Sequence, residues 1–182
     1  MKVIRNRGFA ALVMALMIVV GLFIGTSRSL NRLYDEVDSA FYEGEGGFSI
    51  SLDLEARIAY AGNYLVVAQR YLDSSDQAVQ GLKAAILELQ DAKTIKEKYA
   101  ANNALTMAAD SLTSSLTMPN IQLSDKDAQY VRSIPADMAS RNDTIARDPY
   151  NDIAKEYNDK RASFPANILA DIMGVPKAEY FR

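Results

Sequence analysis

One uninterrupted apolar segment near the N-terminus constrains this chain more than any other feature. Residues 9–25 have the sequence FAALVMALMIVVGLFIG, without a charged or strongly polar side chain, and the run reaches 19 residues if Gly8 and Thr26 are included. At about 1.5 Å per residue, a helix of that length covers roughly 28 Å, close to the bilayer's hydrocarbon thickness of about 30 Å. We therefore predict a transmembrane anchor over residues 9–26.

The basic residues around the segment predict its orientation. Lys2, Arg5 and Arg7 precede it, and residues 1–30 contain no acidic residue. By the positive-inside rule, residues 1–8 are cytoplasmic and residues 27–182 form one extracytoplasmic domain. The protein is thus expected in the cell membrane as a single-pass protein, with the lipid bilayer contacting residues 9–26.

A cleaved signal peptide is the alternative, because Gly25, Thr26 and Ser27 are small enough for a processing site. The apolar run exceeds the roughly 7 to 15 residues usual for such a signal, and no Ala-x-Ala pattern follows. An uncleaved anchor is therefore the preferred prediction.

The composition argues against several function classes. Cysteine and histidine are absent, which removes the thiolate nucleophile, the imidazole acid or base and the usual ligands of zinc and haem. We expect no enzyme and no cofactor. From Asn31 onward 16 basic residues face 23 acidic ones, which disfavours nucleic acid as a partner.

Apolar residues recur at steps of three and four after the anchor, which predicts helices. The anchor should continue directly into a first helix that ends at a turn containing Gly44, Gly46 and Gly47. A second helix is predicted over residues 51–73, with Ser51 or Asp53 at its start.

A long third helix should kink or break near Lys93, because Thr94 and Glu97 have the spacing of a capping box. Pro119 and Asn120 end it. A long fourth helix should start at Ser124 and be bent or divided by its prolines, Pro135 and Pro149. The predicted fold is therefore all-α, an antiparallel bundle of about four long helices preceded by one N-terminal transmembrane helix.

A repeat seven residues apart, Tyr150-Asn151-Asp152 and Tyr157-Asn158-Asp159, is the most unusual local feature. Seven residues are about two helical turns, which places both tripeptides on one face. One interpretation is a ladder that holds a polar ligand or a partner helix. The preferred one is structural: the tyrosines pack between helices, and the asparagines hydrogen-bond across them and fix register.

Other polar residues favour structural roles. Acidic pairs at Asp53/Glu55 and Asp125/Asp127 fit acid/base or calcium chemistry less well than helix starts, where the helix dipole favours carboxylates. Three asparagines on or beside apolar seams are expected to set register: Asn63, Asn102 and Asn142.

The C-terminal stretch FPANILADIMGVPKAEYFR predicts a short helix with Pro165 in its first turn and Gly174 at its end. Its apolar residues should dock the tail on the bundle; if exposed, they would form a partner site. They are Phe164, Ile168, Leu169, Ile172, Tyr180 and Phe181.

The end of the chain carries a set of aromatic, amide and glycine positions: Arg141, Asn142, Ile145, Tyr150, Asn151, Tyr157, Asn158, Phe164, Pro165, Asn167, Gly174, Tyr180 and Phe181. This set resembles the LemA family of bacterial membrane proteins. Further upstream, Val37, Ala40 and Phe41 resemble the family's V-x-x-A-W, and Arg57, Asn63, Leu65 and Tyr71 fall at its R...NL...Y spacing. The resemblance implies an N-terminal anchor and a bundle of long antiparallel helices, with these residues as fold determinants or partner contacts.

The expected function is a membrane-anchored, non-enzymatic helical interaction or scaffold module of the bacterial cell envelope. Another membrane or envelope protein is the expected partner, and homo-oligomerisation is left open. The alternative is an extracytoplasmic ligand-sensing bundle that acts through a partner, with interior asparagines and the tyrosine repeat lining a pocket.

Overall fold

A computed structural model describes residues 7–44 and 48–182, which form seven α-helices. Lys2, Arg5, Gly46 and Gly47, which contribute to the predictions above, lie outside the described residues. The helices are α1 (Arg7–Tyr42), α2 (Ile50–Ala68), α3 (Gln77–Asp91), α4 (Ile95–Leu116), α5 (Asp125–Arg147), α6 (Tyr150–Ala162) and α7 (Ala166–Met173).

Helix α1 confirms that the predicted anchor continues directly into a first helix. It is 36 residues long, and its apolar part is long and apolar enough to cross a membrane. Large apolar side chains between Phe9 and Ile24 are exposed around the helix, whereas Leu30, Val37 and Phe41 are buried. The helix thus changes from an apolar rod to an amphipathic element near Thr26.

The chain after α1 turns at Gly44, whose φ of 63° lies in the left-handed region. A Cβ at this position would overlap the backbone carbonyl of Phe48. Glycine is therefore required here by both conformation and space.

Helix α2 starts at Ile50, one residue earlier than expected. Ser49 is the N-cap: its extended backbone and its side chain, which accepts a hydrogen bond from the Leu52 amide at 3.2 Å, satisfy the first turn. Neither Ser51 nor Asp53 caps the helix. The helix ends at Ala68, not at residue 73 as predicted. Beyond it, the amides of Arg70 and Tyr71 donate to the carbonyls of Val67 and Ala68 in a tighter turn.

The predicted third helix is divided into α3 and α4, and the break lies at residues 92–94. Thr94 and Glu97 form the expected capping box at the start of α4. The break therefore has a local cause, since the capping residue satisfies the first-turn amides of a new helix.

The predicted fourth helix is divided at only one of its two prolines. Ser124 caps α5 by accepting a hydrogen bond from the Asp127 amide, as predicted, and Pro135 lies within the helix. Asp148 is extended, as is favoured for a residue before proline, and its carboxylate accepts a hydrogen bond from the Tyr150 amide. Pro149 thus separates α5 from α6.

The chain divides into two compact units. Unit 1 contains the described residues up to Asp38 together with Asp152–Ala178, and unit 2 contains Ser39–Asn151 and Glu179–Arg182. Unit 2 holds a four-helix bundle formed by α2, α3, α4 and α5. The all-α bundle is confirmed, although its four helices are not the four expected, because the third and fourth predicted helices are each divided.

Side-chain pairs show the helix directions in this bundle. Arg57 of α2 bonds to Met138 in the second half of α5, and Arg70, two residues beyond the end of α2, bonds to Asp127 in the first turn of α5, so these helices run antiparallel. Arg57 also bonds to Thr106, and Tyr64 to Thr113, so α4 runs parallel to α2. The core of the four-helix bundle is apolar and includes Leu54, Ala61, Val79, Leu82, Leu89, Leu105, Leu112, Leu116, Val131 and Met138.

Candidate functional site

Two asparagines of α6 bind the backbone of the extended tail, residues 175–182. The Asn158 side chain donates to the Ala178 carbonyl at 3.0 Å and accepts from the Ala178 amide at 2.9 Å. The Asn151 side chain donates to the Phe181 carbonyl at 3.1 Å and accepts from the Phe181 amide at 2.9 Å. Each side-chain amide therefore takes the place of a neighbouring strand in a hydrogen-bonded antiparallel pair.

The tyrosine preceding each asparagine adds one hydrogen bond to the tail. Tyr157 donates its hydroxyl to the Pro176 carbonyl at 2.7 Å, and Tyr150 donates to the Glu179 carbonyl at 2.7 Å. Both rings are buried. Burial raises the pKa of the Tyr157 hydroxyl, so this phenol keeps the proton that it donates. We name Tyr150 with Asn151 the first clamp, and Tyr157 with Asn158 the second clamp.

The spacing of the clamps matches the geometry of an extended chain. Seven residues of helix rise about 10.5 Å, and three residues of extended chain span about 10 Å. The clamped tail residues are correspondingly three apart, Ala178 and Phe181 for the asparagines. The seven-residue spacing of the clamps in α6 therefore matches a three-residue spacing of the tail residues that they bind.

The repeat thus has a different partner from the one expected. Its asparagines were predicted to bond across helices, but they bond the extended tail. Its carboxylates do not join them: Asp152 and Asp159 are exposed and line an open surface groove of about 530 Å³. Asp159 pairs there with Lys155 at 2.8 Å.

An aromatic cluster in unit 2 surrounds the residue held by the first clamp. The Phe181 ring lies 5.3 Å from Tyr99 and 6.0 Å from Phe41, and Phe41 lies 5.1 Å from Tyr150 in an edge-to-face arrangement. These separations fall in the favourable range for aromatic pairs. The cluster explains why Phe181 is buried as predicted.

Sequence reasoning missed Arg161, which binds the start of the tail. Its Nε donates to the Val175 carbonyl at 2.9 Å, and its Nη2 pairs with Asp171 at 3.0 Å. Arg161 follows Tyr157 by four residues, which places both on one face of α6. That spacing was a signal that the sequence contained.

The short C-terminal helix confirms one prediction and corrects another. Gly174 ends α7 with a left-handed φ of 66°, and Pro165 precedes its first residue. The Asn167 amide donates to the Ser163 carbonyl, while its side-chain oxygen is buried and unpartnered. The predicted docking of the apolar residues is wrong for three of them, because Phe164, Ile168 and Ile172 are exposed; Leu169 and Tyr180 are half-buried.

The bundle of unit 2 contains a buried polar cluster. Arg57 is 1% exposed and donates to the Met138 carbonyl and to the Thr106 hydroxyl, both at 2.6 Å. Burial lowers the pKa of Arg57, and the negative charge of Asp110 opposes this. Arg57 Nε has no hydrogen-bond partner. A charged group held by neutral oxygens thus links α2 to α4 and α5.

The interior asparagines divide between core and surface. Asn102 is buried and donates to the Asn142 side chain at 3.0 Å, which agrees with a register-setting role. Asn63, expected on or beside an apolar seam, is exposed on α2. The structure therefore does not bring Asn63 together with Asn102.

A family model described as the LemA family matches residues 48–182. The chain belongs to the LemA family. A comparison with curated proteins gave no match.

The LemA match contains both clamps, Pro165, Gly174 and the clamped tail. The resemblance suggested for Val37, Ala40 and Phe41 lies before the matched residues. Phe41 nevertheless packs on Tyr150, which gives this aromatic position a structural role beside the LemA region.

One member of each acidic pair in the LemA bundle forms an ion pair with an arginine. Asp53 pairs with Arg141 at 3.0 Å. Asp127 accepts hydrogen bonds from the Tyr71 hydroxyl at 2.6 Å and from Arg70 at 2.7 Å, and the bond from Tyr71 is the largest cause of its lowered pKa. Within residues 7–44 and 48–182, no three carboxylates converge in a way that could hold a metal ion.

Proposed function

We propose that this LemA-family chain is a membrane-anchored, non-enzymatic helical interaction or scaffold module of the cell envelope. The observation that carries the proposal is the apolar part of α1, whose side chains are exposed on all sides. An apolar surface of this extent is unfavourable in water. A bilayer accommodates it, because a helix satisfies its backbone hydrogen bonds internally.

The continuity of α1 supports a scaffold role. The same helix that carries the apolar segment buries Leu30, Val37 and Phe41 further along its length. The apolar segment and this buried face therefore belong to one continuous helix, without a break at Thr26. In this proposal the N-terminus is cytoplasmic and the bundle is extracytoplasmic.

The chemistry of the polar residues supports a non-enzymatic role. The tyrosines and asparagines that could hold a polar ligand are engaged by the tail. Asp53 and Asp127 are paired with arginines. The ligand-sensing alternative would need a pocket that joins Asn63, Asn102 and the repeat, and the exposure of Asn63 and the occupied clamps argue against it.

Site-specific photo-crosslinking of the full-length chain in intact cells tests the proposal. A photoreactive amino acid would replace Met107, Val66 or Leu87, which are exposed apolar positions on three bundle helices. The matched control is Leu105, which is buried on the same helix as Met107. We expect one membrane or envelope protein to be captured reproducibly from at least one exposed position and not from Leu105.

An adduct of twice the chain's mass would identify a second copy as the partner. If no exposed position yields a reproducible adduct, while the crosslinker at Leu105 reacts within the chain and shows that photolysis worked, the interaction role is contradicted. Identical capture from Leu105 and Met107 would mark the adducts as nonspecific and would also contradict it.

A further inference from the structure

Helix α7 and the residue before Pro165 present an apolar face away from the folded chain. Ile168 and Ile172 are 51% and 68% exposed, and Phe164 is 81% exposed. Ala170, about 200° around the helix from Ile168 at 100° per residue, is completely buried. We name Phe164, Ile168 and Ile172 the α7 face. Helix α7 thus packs on the protein through the side that carries Ala170, opposite the α7 face.

Ring contacts show how α6 runs along α1. Phe41 contacts Tyr150, with 5.1 Å between ring centroids. Tyr34, seven residues earlier on α1, contacts Tyr157, seven residues later on α6, at 5.6 Å. The two helices therefore run antiparallel, and the chain beyond Tyr157 heads toward the apolar part of α1.

The distances along both helices bring Phe164 to the end of the apolar segment. Eight residues separate Tyr34 from Thr26, about 12 Å at the helical rise, and five residues of α6 separate Tyr157 from Ala162, about 7.5 Å; Phe164 follows two residues after the end of α6. Phe164 thus lies near the level of the first residues after the predicted anchor. This is the depth at which lipid headgroups surround a spanning helix.

We propose that the α7 face inserts into the interfacial region of the bilayer that α1 spans. The inference rests on the membrane insertion of α1 in the proposed function and adds a second lipid contact to it. Phenylalanine and isoleucine suit the boundary between headgroups and acyl chains, and the exposed Arg28 and Lys177 suit headgroup phosphates. Asp171 is paired with Arg161, so α7 does not bring an isolated charge to the lipid.

The chain contains no tryptophan, which allows one introduced tryptophan to report on its surroundings. The full-length variants Ile172→Trp and Ile168→Trp would be reconstituted in phosphatidylcholine vesicles with or without acyl-chain bromination, which quenches tryptophan in contact with lipid. Leu22→Trp reports insertion of α1. Met107→Trp is the matched control on an exposed apolar position of the bundle, 74% exposed.

We expect Ile172→Trp and Ile168→Trp to emit at shorter wavelength than Met107→Trp and to lose most of their emission in brominated vesicles, while Met107→Trp loses little. Quenched Leu22→Trp with both α7 reporters unquenched would overturn this proposal and leave the anchor standing. An unquenched Leu22→Trp would overturn the anchor and this inference together.

Short-wavelength emission from the α7 reporters without quenching would show that protein covers the face, and this too would overturn lipid contact. Dependence of that emission on the ratio of protein to lipid would identify a second copy as the occupant. Independence from the ratio would identify contact within the chain. The two reporters act as checks on each other, since a local distortion at one position would not move the other.

Discussion

Replacing Asn158 with alanine removes both hydrogen bonds between the second clamp and Ala178, at 3.0 and 2.9 Å. A net contribution of roughly 0.5 to 1.5 kcal/mol per bond gives a loss of about 1 to 3 kcal/mol. At about 1.4 kcal/mol per tenfold change, a loss of about 2 kcal/mol raises the population of the locally released tail roughly 30-fold. The tail should therefore open far more often while the bundle stays folded.

Hydrogen exchange of the tail amides measures this opening. In Asn158→Ala the Ala178 amide should exchange about 30-fold faster, and amides in the core of the bundle should keep their rates. Asn63→Ala is the matched control, because Asn63 is exposed; its exchange pattern should resemble the wild type. An unchanged rate at Ala178 in Asn158→Ala, with the variant folded, would refute the clamp as the element that holds the tail.

Three further predictions concern the bundle. Arg57→Met should change the free energy of unfolding by no more than about 1 kcal/mol, because an apolar group of similar volume replaces a buried charge. Arg57→Ala should lower the free energy of unfolding by about 2 to 5 kcal/mol, because it leaves a cavity. Equal losses of stability for the two variants in urea unfolding would contradict this. Thr94→Ala should lower stability by about 1 kcal/mol by removing the α4 cap, and an unchanged urea midpoint would show that the cap is dispensable. The pKa of Asp127 is lowered below its ordinary value of 3.8, first by the hydrogen bond from Tyr71. The ionised carboxylate therefore stabilises the fold fully above pH 3.8, and this stabilisation is lost as pH falls through the folded-state pKa. The thermal unfolding temperatures of the wild type and Asp127→Asn should differ at neutral pH and converge in acid, and a difference that stays constant with pH would contradict this role of Asp127.

The sequence predicted those features of the fold that depend on local signals. The capping residues Ser124 and Thr94 with Glu97 start α5 and α4 as expected, because a side chain that satisfies first-turn amides acts within four residues. Gly174 and Gly44 adopt left-handed conformations at helix ends for the same local reason. The uniform apolar composition of the anchor region also predicts its helix directly.

Features that depend on tertiary partners were not predictable in the same way. The repeat in α6 was recognised, but an asparagine that pairs with a strand-like tail has the same local sequence as one that bonds across helices. Asn63 lies beside an apolar seam by spacing, yet α2 exposes it. Pro135 and Pro149 are equal as local signals, because each removes one backbone donor, yet only Pro149 divides a helix.

The most direct test of the account is the position of the two chain ends relative to the membrane. A membrane-impermeant protease would be added to intact cells, or to spheroplasts where an outer membrane is present, carrying the full-length chain with a tag at each end. We expect the C-terminal tag to be digested, while the N-terminal tag is protected and stays with the membrane. Protection of the C-terminal tag would contradict the orientation, and loss of the N-terminal tag from the membrane-bound protein before protease is added would show a cleaved signal in place of an anchor.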